Sequence, residues 1–302
     1  MIGFRSRGFV IPLVLIIISI LVVLSMGLSH LARNQIKTLQ HSQTQWQSEL
    51  IYRSVLHKLM HNLLIGKIAY NYVQSELRLP IDGRTFTMDG VEVQIQDTAG
   101  LMGLGAYQEA QLYQLLLQLT DLETAQRISH EFTDWVDKNN LQQRYGMEAD
   151  NYIQAELPYQ PRNKMIRSLD ELLELPSMTL ELYNGSAQQP GLRNFLVPGI
   201  GQTLNAATAP QPVMRAMLKA STKQWQAIWA ARSAENWSLL EKLLRDFPGA
   251  FGDLGPFMPA NTFRVIMKIP EQKAMRVVFS LTPGRNPPYA IQQWYYPDDD
   301  RG

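Results

Sequence analysis

The chain has 302 residues, with 28 Lys and Arg against 27 Asp and Glu, a formal net charge of +1 and no cysteine. The near balance excludes a global field that would gather nucleic acid or an anionic surface, and the missing cysteine excludes disulfide stapling. Beyond one membrane segment the length still allows one large or two modest domains.

A basic leader, residues 1–8 with Arg5 and Arg7, precedes a run of 21 residues from Phe9 to Ser29 without an ionisable side chain. At about 1.5 Å of rise per residue this is roughly 31 Å of helix, the thickness of a bilayer's hydrocarbon core. Residues 9–29 are therefore expected to span a membrane once. Arginines on the N-terminal side should keep that end in the cytoplasm and send the rest outward. A secretory signal peptide is the competing reading. Against it, the run is long for an h-region, and the flank Ser29-His30-Leu31-Ala32-Arg33-Asn34 offers no A-x-A-like site.

From Leu31 to about Tyr72 there is no proline, and helix is expected to continue. Val55, Leu59 and Leu63, with Leu56 and Met60 beside them, form one apolar stripe able to pack on a globular body. His57 and His61 have the i, i+4 spacing of a metal pair, but no third ligand is near, and they read as polar-face residues. Next, Asp89-Gly90 between two alternating runs, residues 84–96, signals a β-hairpin with a type I′ turn. Val91, Val93 and Ile95 are expected to face one side; Glu92, Gln94 and Gln96 face the other.

After Asp97 the pattern is helical for about 150 residues. Helices are expected over 107–120, 122–137, 212–220, 222–231 and 235–246. Ser168-Leu-Asp-Glu171 makes a capping box for a short helix that Pro176 ends. Trp225, Trp229 and Trp237 read as core or interface aromatics. Strands then return: Phe263, Val265, Met267 and Ile269 alternate with Arg264 and Lys268, a turn at 270–273 leads to Val277, Phe279 and Leu281, and 289–296 gives a third. The expected fold class is α+β. A transmembrane and amphipathic helix packs on an antiparallel sheet that carries a large all-helical (SAM-like) insertion between its second and third strands. The implied segments are 1–8 leader, 9–29 membrane helix, 30–97 amphipathic helix and first hairpin, 98–258 insertion, and 259–302 returning strands with the acidic tail Asp298–Asp300.

The small residue Gly8 between the basic leader and Phe9 resembles the processing signal of type IV pilins and pseudopilins. That resemblance implies cleavage after Gly8 by a prepilin peptidase and N-methylation of Phe9, with the apolar helix retained. Most members carry a glutamate five residues past the cut; here that position is Leu13. In those filaments the glutamate is thought to neutralise the amine of the preceding subunit, so its absence suits a subunit with nothing above it. A helical insertion in a pilin-like sheet is, within that group, similar to the general secretion pathway protein K family, the large minor pseudopilins of type II secretion. Asp97-Thr-Ala-Gly-Leu-Met-Gly-Leu104 resembles the family's D-x-x-G-x-x-N-L-N, with glycine at Gly103 and Gly105 in place of both asparagines. Asp134-Trp-Val-Asp137 resembles D-W-x-D, and Gly146–Tyr152 resembles G-A-E-D-x-Y. Pro158-Tyr159, Asn163 and Ser168–Leu172 resemble the segment that follows. Asn205–Pro210 resembles N-x-N-T-A with Ala207 for the second asparagine, and Asn261-Thr-Phe263 and Gln293-Trp294 match the closing strands.

This resemblance implies a tip subunit that caps and initiates a pseudopilus driving folded proteins across the outer membrane. Its partners would be the minor pseudopilins I and J, the inner-membrane assembly platform and the prepilin peptidase. It implies a single-pass inner-membrane protein with its bulk in the periplasm, no catalysis, no nucleic acid and no small-molecule substrate. The residues agree on catalysis: there is no Cys nucleophile, G-x-S-x-G, H-E-x-x-H or Walker loop. The rivals are a minor pilin of a type IV pilus, for adhesion or DNA uptake, and more distantly a membrane-anchored helix-hairpin-helix module. For the latter, 168–178 lacks the glycines, Gly199-Ile-Gly201 lacks two clear flanking helices, and no basic stripe accompanies either.

Asp134 and Asp137 lie at i, i+3 at a helix end, and Glu148 and Asp150 follow a polar loop. Four carboxylates brought together need a cation or an arginine among them. Outside the inner membrane a hard, oxygen-ligated ion such as Ca²⁺ is available, and the resemblance also implies calcium here. Asp137, Asn139 and Glu148 have the spacing of EF-hand positions 1, 3 and 12, but Leu141 and Gln142 stand at positions 5 and 6, so this is not an EF-hand. The candidate ligands are Asp134, Asp137, Asn139, Glu148 and Asp150, in a structural role. The alternative is that they are helix caps and surface charges, with Asp134 paired to Arg144 and His130 at most joining the cluster.

Overall fold

The structure, a computed structural model, describes residues 10–68, 79–105, 109–186, 188–198, 204–247, 250–251, 255–270 and 272–295. The leader with Gly8 and Phe9, the Gly199–Gly201 turn and the tail Asp298–Asp300 lie outside the described residues. The chain divides into two compact units, Met1–Leu56 and His57–Gly302.

Over its described residues the first unit is helix. α1 runs Val10–Ile68 without a break, so the expected continuation of the membrane helix holds as far as it is described. Its last twelve residues belong to the second unit. There Leu59, Met60 and Leu63 of the apolar stripe are buried, while His57 and His61 stay exposed on the polar face. Lys58 pairs with Asp89 at the tip of the first hairpin.

That hairpin is β1 (Asp82–Met88) and β2 (Val91–Asp97). Asp89 and Gly90 have φ of 50° and 78°, the two positive values that a type I′ turn demands. β5 (Thr262–Lys268), β6 (Met275–Leu281) and β7 (Tyr289–Tyr295) complete one antiparallel sheet in the order β1-β2-β5-β6-β7. β2 and β5, neighbours in the sheet, are paired from Glu92↔Lys268 to Asp97↔Phe263, so the residues between them leave and re-enter the sheet at adjacent strands. Period-two alternation sets the faces. Val91, Val93, Ile95, Phe263, Val265, Met267, Val277 and Phe279 are buried, with Phe263 against Phe279 at 5.9 Å between ring centroids.

The insertion departs from the all-helical expectation. β3 (Met102–Leu104) and β4 (Leu196–Pro198) form a small parallel ribbon inside it, paired Met102↔Leu196 to Leu104↔Pro198. Three-residue strands carry too little alternation to register against a helical background. Around them stand α2 (Glu109–Leu116), α3 (Leu122–Val136), α4 (Ala149–Gln154), α5 (Leu180–Asn184), α6 (Gln211–Met217), α7 (Thr222–Ser233) and α8 (Trp237–Leu244). The Ser168–Glu171 capping box is present, but it opens a 3₁₀ segment, Leu169–Glu174, rather than an α-helix. The three tryptophans sit in or against the insertion core: Trp225 stacks on Trp229 at 5.7 Å, and Trp237 meets Phe257 edge-on at 5.8 Å.

Gln96 corrects the hairpin reading. It faces away from Ile95 as expected, yet it is buried, because the insertion covers it and its amide donates to the carbonyls of Asp97 and Thr208. The joint itself is Asp97. Its carboxylate accepts from Ala99 N (3.1 Å), Ala260 N (2.8 Å), Asn205 Nδ2 (2.8 Å) and Thr208 Oγ1 (2.9 Å). Burial pushes its pKa up, and the four donors draw it back toward the ionised form. Gly100 lies so close to Thr208 that a Cβ would meet that residue's backbone at 2.7 Å. The D-x-x-G and N-x-x-T motifs, distant in sequence, are one contact in space.

Asp97→Asn turns an acceptor oxygen into a donor facing donors. It is expected to cost roughly 3 kcal/mol or more of head stability, against about 1–2 kcal/mol for Asn205→Ala. Urea unfolding of the full chain in detergent, followed by tryptophan fluorescence, checks the ranking.

Candidate functional site

Two features are candidates for function: the apolar helix and the acidic corner of the insertion. Among the described residues one helix, α1, is long and apolar enough to cross a membrane, over Pro12–Leu31. Its side chains from Pro12 to Leu31 are exposed wherever they are described, Leu13 among them. Leu13 supplies no carboxylate there, only lipid-compatible surface.

The acidic corner is built on the end of α3. Asp121 caps that helix's first turn through Thr124, and Asp137, the C-cap residue, closes its last by donating its N–H to Thr133 O. Asp134 faces inward and is fully buried. Both its oxygens accept from Gln143 N–H, at 3.2 and 3.1 Å, and Gly146 passes so close that a Cβ would stand 2.0 Å from Oδ2. The loop 137–148 is folded by its own polar groups. Asp137 accepts from Asn139 N and Nδ2, Asn139 Oδ1 accepts from Leu141 N, and His130 Nδ1 accepts from Tyr145 N.

The structure therefore distributes the five candidate ligands unequally. Asn139 is engaged with Asp137 and Leu141. Asp150 sits in the first turn of α4, where a carboxylate suits the helix dipole. Glu148 is different: it is buried, and both carboxylate oxygens lack any hydrogen-bond partner. Burial first, then the charges of Asp134 and Asp137, push its pKa up to about 7. Burial likewise raises Asp134 to about 6, with Asp137, Glu109 and Glu131 adding to it against the pull of Gln143 N–H. The three carboxylates feel one another, but among the described residues no three Asp, Glu or His side chains converge as a ready-made metal cluster. Arg144 is not the partner of Asp134: its guanidinium lies over the Tyr145 ring, 5.0 Å from the centroid. His130 stacks on that same ring and holds the loop backbone.

One residue of this corner went unnoticed in the sequence. Glu131 is buried and accepts from Ser177 N (3.0 Å) and Oγ (2.6 Å), tying α3 to the turn after Pro176. A helical glutamate nearly two turns before the C-cap carries no signal of that role. The same contact ties the end of the 168–178 stretch to α3.

Residues 102–187 match the family model described as Type II secretion system (T2SS), protein K. A curated relative, the type II secretion system protein K of Pectobacterium carotovorum subsp. carotovorum, is 24% identical over 269 residues, 79% of each chain. Both matches support a K protein of type II secretion. The matched segment contains the whole acidic corner, α2 to α5 and β3. In fold the chain is similar to the GspK-GspI-GspJ complex of enterotoxigenic Escherichia coli, at a TM-score of 0.54 and 16% identity over 85% of this chain and 98% of that one. K proteins are minor pseudopilins, and this chain has an apolar N-terminal helix that suits a single-pass anchor.

Two measurements follow from the corner. Gly146→Ala drives a methyl into Asp134 and is expected to lower stability by about 1–3 kcal/mol, read as a lower urea midpoint. The pH dependence has a definite sign. Glu148 at about 7 and Asp134 at about 6 lie above their ordinary 4.5 and 3.8. Folded-state protonation thus contributes stability that is complete below about pH 4 and lost as pH rises through about 6 to 7. Without divalent cations, the melting temperature should fall between about pH 5 and about pH 8, and Glu148→Gln should flatten that fall.

Proposed function

We propose that this chain is the tip subunit of a type II secretion pseudopilus, capping it and starting its assembly. The single observation that carries the reading is the K-type insertion hung between β2 and β5. A body of that size on one side of a pilin-like sheet suits a place at the end of a filament, where no further subunit must pack. Leu13 supports the same place, since a terminal subunit has no preceding amine to neutralise. The solved structure of similar fold is a GspK-GspI-GspJ complex. By that likeness the partners here are minor pseudopilins I and J. The assembly platform then draws the apolar helix out of the inner membrane, with the head in the periplasm.

In this reading a prepilin peptidase cuts after Gly8 and Phe9 is methylated. Intact mass of the membrane-extracted protein is expected to show loss of Met1–Gly8 plus one methyl group, and Gly8→Lys should leave the full mass. An uncut wild-type N-terminus would make the chain a plain anchored protein and remove the filament role.

The acidic corner suits a structural calcium ion. Glu148, with two buried oxygens lacking partners, and Asp134 and Asp137, which repel it, would hold the ion, with Asn139 and Asp150 beside them in the loop. When bound, the ion supplies positive charge that relieves carboxylate repulsion and staples a loop that has no cysteine. EDTA should lower the melting temperature at about pH 8, where the carboxylates are ionised, and calcium should restore it. At about pH 5 both effects should shrink, since protons then do part of the same work.

A further inference from the structure

Several cations of the head are taken up by the fold. Arg264 of β5 donates to the carbonyls of Arg193 (3.3 Å), Asn194 (3.2 Å) and Leu196 (2.6 Å), clamping the insertion to the sheet. Arg193 donates to Asn184 Oδ1 (2.7 Å) and Tyr295 Oη (3.3 Å), and Arg162 pairs with Glu171 at 2.7 Å. Two cations of the insertion are placed differently, along a groove between α2 and the chain that leaves α6.

This groove has a volume of about 520 Å³, within the range of about 300–1,000 Å³ usual for ligand sites. Its walls are fixed against each other. Leu112, Leu115 and Leu116 of α2 share the insertion core with Val213 and Met214 of α6. Gln118 Nε2 donates to Gln114 O (3.1 Å) and Pro212 O (3.0 Å), tying the end of α2 to the start of α6. Leu117 and Met217 give the groove apolar lining, and both are only partly buried. Gln111 lines it as well, and its Oε1 is buried without a hydrogen-bond partner. Arg215 and Lys219 are exposed and are the charged residues among its described lining; no carboxylate joins them. The Arg215 guanidinium lies over the Trp225 ring, 5.6 Å from the centroid. A guanidinium held on a ring face keeps its N–H donors for a carboxylate, and part of its side-chain entropy is already lost.

We propose that this groove docks an extended, acidic segment of a different protein. A carboxylate of that segment meets Arg215 and Lys219, a backbone N–H fills Gln111 Oε1, and an apolar side chain covers Leu117 and Met217. Charge complementarity decides the sign of the occupant. The lining supplies two cations and no anion, so an acidic segment is attracted and a basic one repelled. The three features also differ in kind. An apolar surface, an acceptor without a partner and a pair of cations are met together by a peptide, which carries backbone donors and side chains on one strand. The inference is independent of the chain's place in a pseudopilus.

The test uses the full chain in detergent at constant ionic strength, with calorimetry as the readout. The probe is acetyl-Leu-Glu-Leu-Asp-Leu-amide, and its Gln and Asn counterpart is the control. The acidic peptide should bind saturably, one per chain, and the neutral one about tenfold more weakly. Arg215→Gln should weaken binding about tenfold. Lys219→Gln, at an exposed position where the fold is not at stake, should weaken it about threefold. Lys223→Gln, on α7 outside the groove, should leave it unchanged, and so should ending the chain after Tyr296. No saturable binding, equal binding of the neutral peptide, or no effect of Arg215→Gln and Lys219→Gln would overturn the proposal. Equal weakening by Lys223→Gln would overturn it too, as the mark of unspecific attraction. Tighter binding by the shortened chain would give the groove to the chain's own acidic tail, and a dimer that the peptide dissociates would give it to a second copy. Either result overturns the assignment to a different protein.

Discussion

Asp97 receives donors from residues 108, 111 and 163 positions away, as well as from its own turn. It is the last residue of β2, the strand from which the insertion departs, and Ala260 lies two residues before β5, where the chain returns. Asn205 and Thr208 belong to the insertion's own body. One carboxylate therefore fixes the exit, the return and the body together, and the close approach of Gly100 to Thr208 follows from it. A buried carboxylate is costly unless its oxygens are filled. With four donors, the cost of burial becomes a demand for one arrangement, because any displacement strands several donors at once. Arg264 acts at a distance in the same joint, with the charge reversed: a cation from the sheet fills three carbonyls of the insertion.

The acidic corner is the opposite case. Asp134, Asp137 and Glu148 are brought near by a loop whose backbone is held by its own turns. Among these three carboxylates the buried oxygens without a hydrogen-bond partner are those of Glu148. That division separates fold from charge: the loop's conformation is specified locally, while its protonation depends on pH and on cations around it.

Much of this was legible because the signals were periodic. The uninterrupted apolar run, the Asp89-Gly90 turn and the alternation at Phe263–Ile269 each extend over enough residues to identify an element. The Ser168 box was legible as a cap, although a cap does not say whether α or 3₁₀ geometry follows. What escaped was what tertiary contact decides. Gln96 alternates as a solvent-facing residue, and only the covering insertion buries it. Glu131 and Arg264 look like surface charges in their elements, and each is spent on a segment dozens of residues away. β3 and β4 are too short to show a period. The acidic cluster was visible as composition, but sequence spacing treated five residues alike where the structure singles out Glu148 with Asp134 and Asp137.

The insertion leaves from and returns to neighbouring strands, which elsewhere in such sheets a short turn would join. In an unfolded chain, pairing β2 with β5 means closing a loop on the order of 160 residues. Compared with a turn of about five residues, that is five doublings of length and roughly 3 kcal/mol of extra chain entropy. If the insertion folds first, its two ends are already side by side and nearly all of that penalty has been met by its own core. The order of events during folding is thereby biased. The later part of the chain completes a sheet whose first hairpin has waited for the insertion to bring β5 to it.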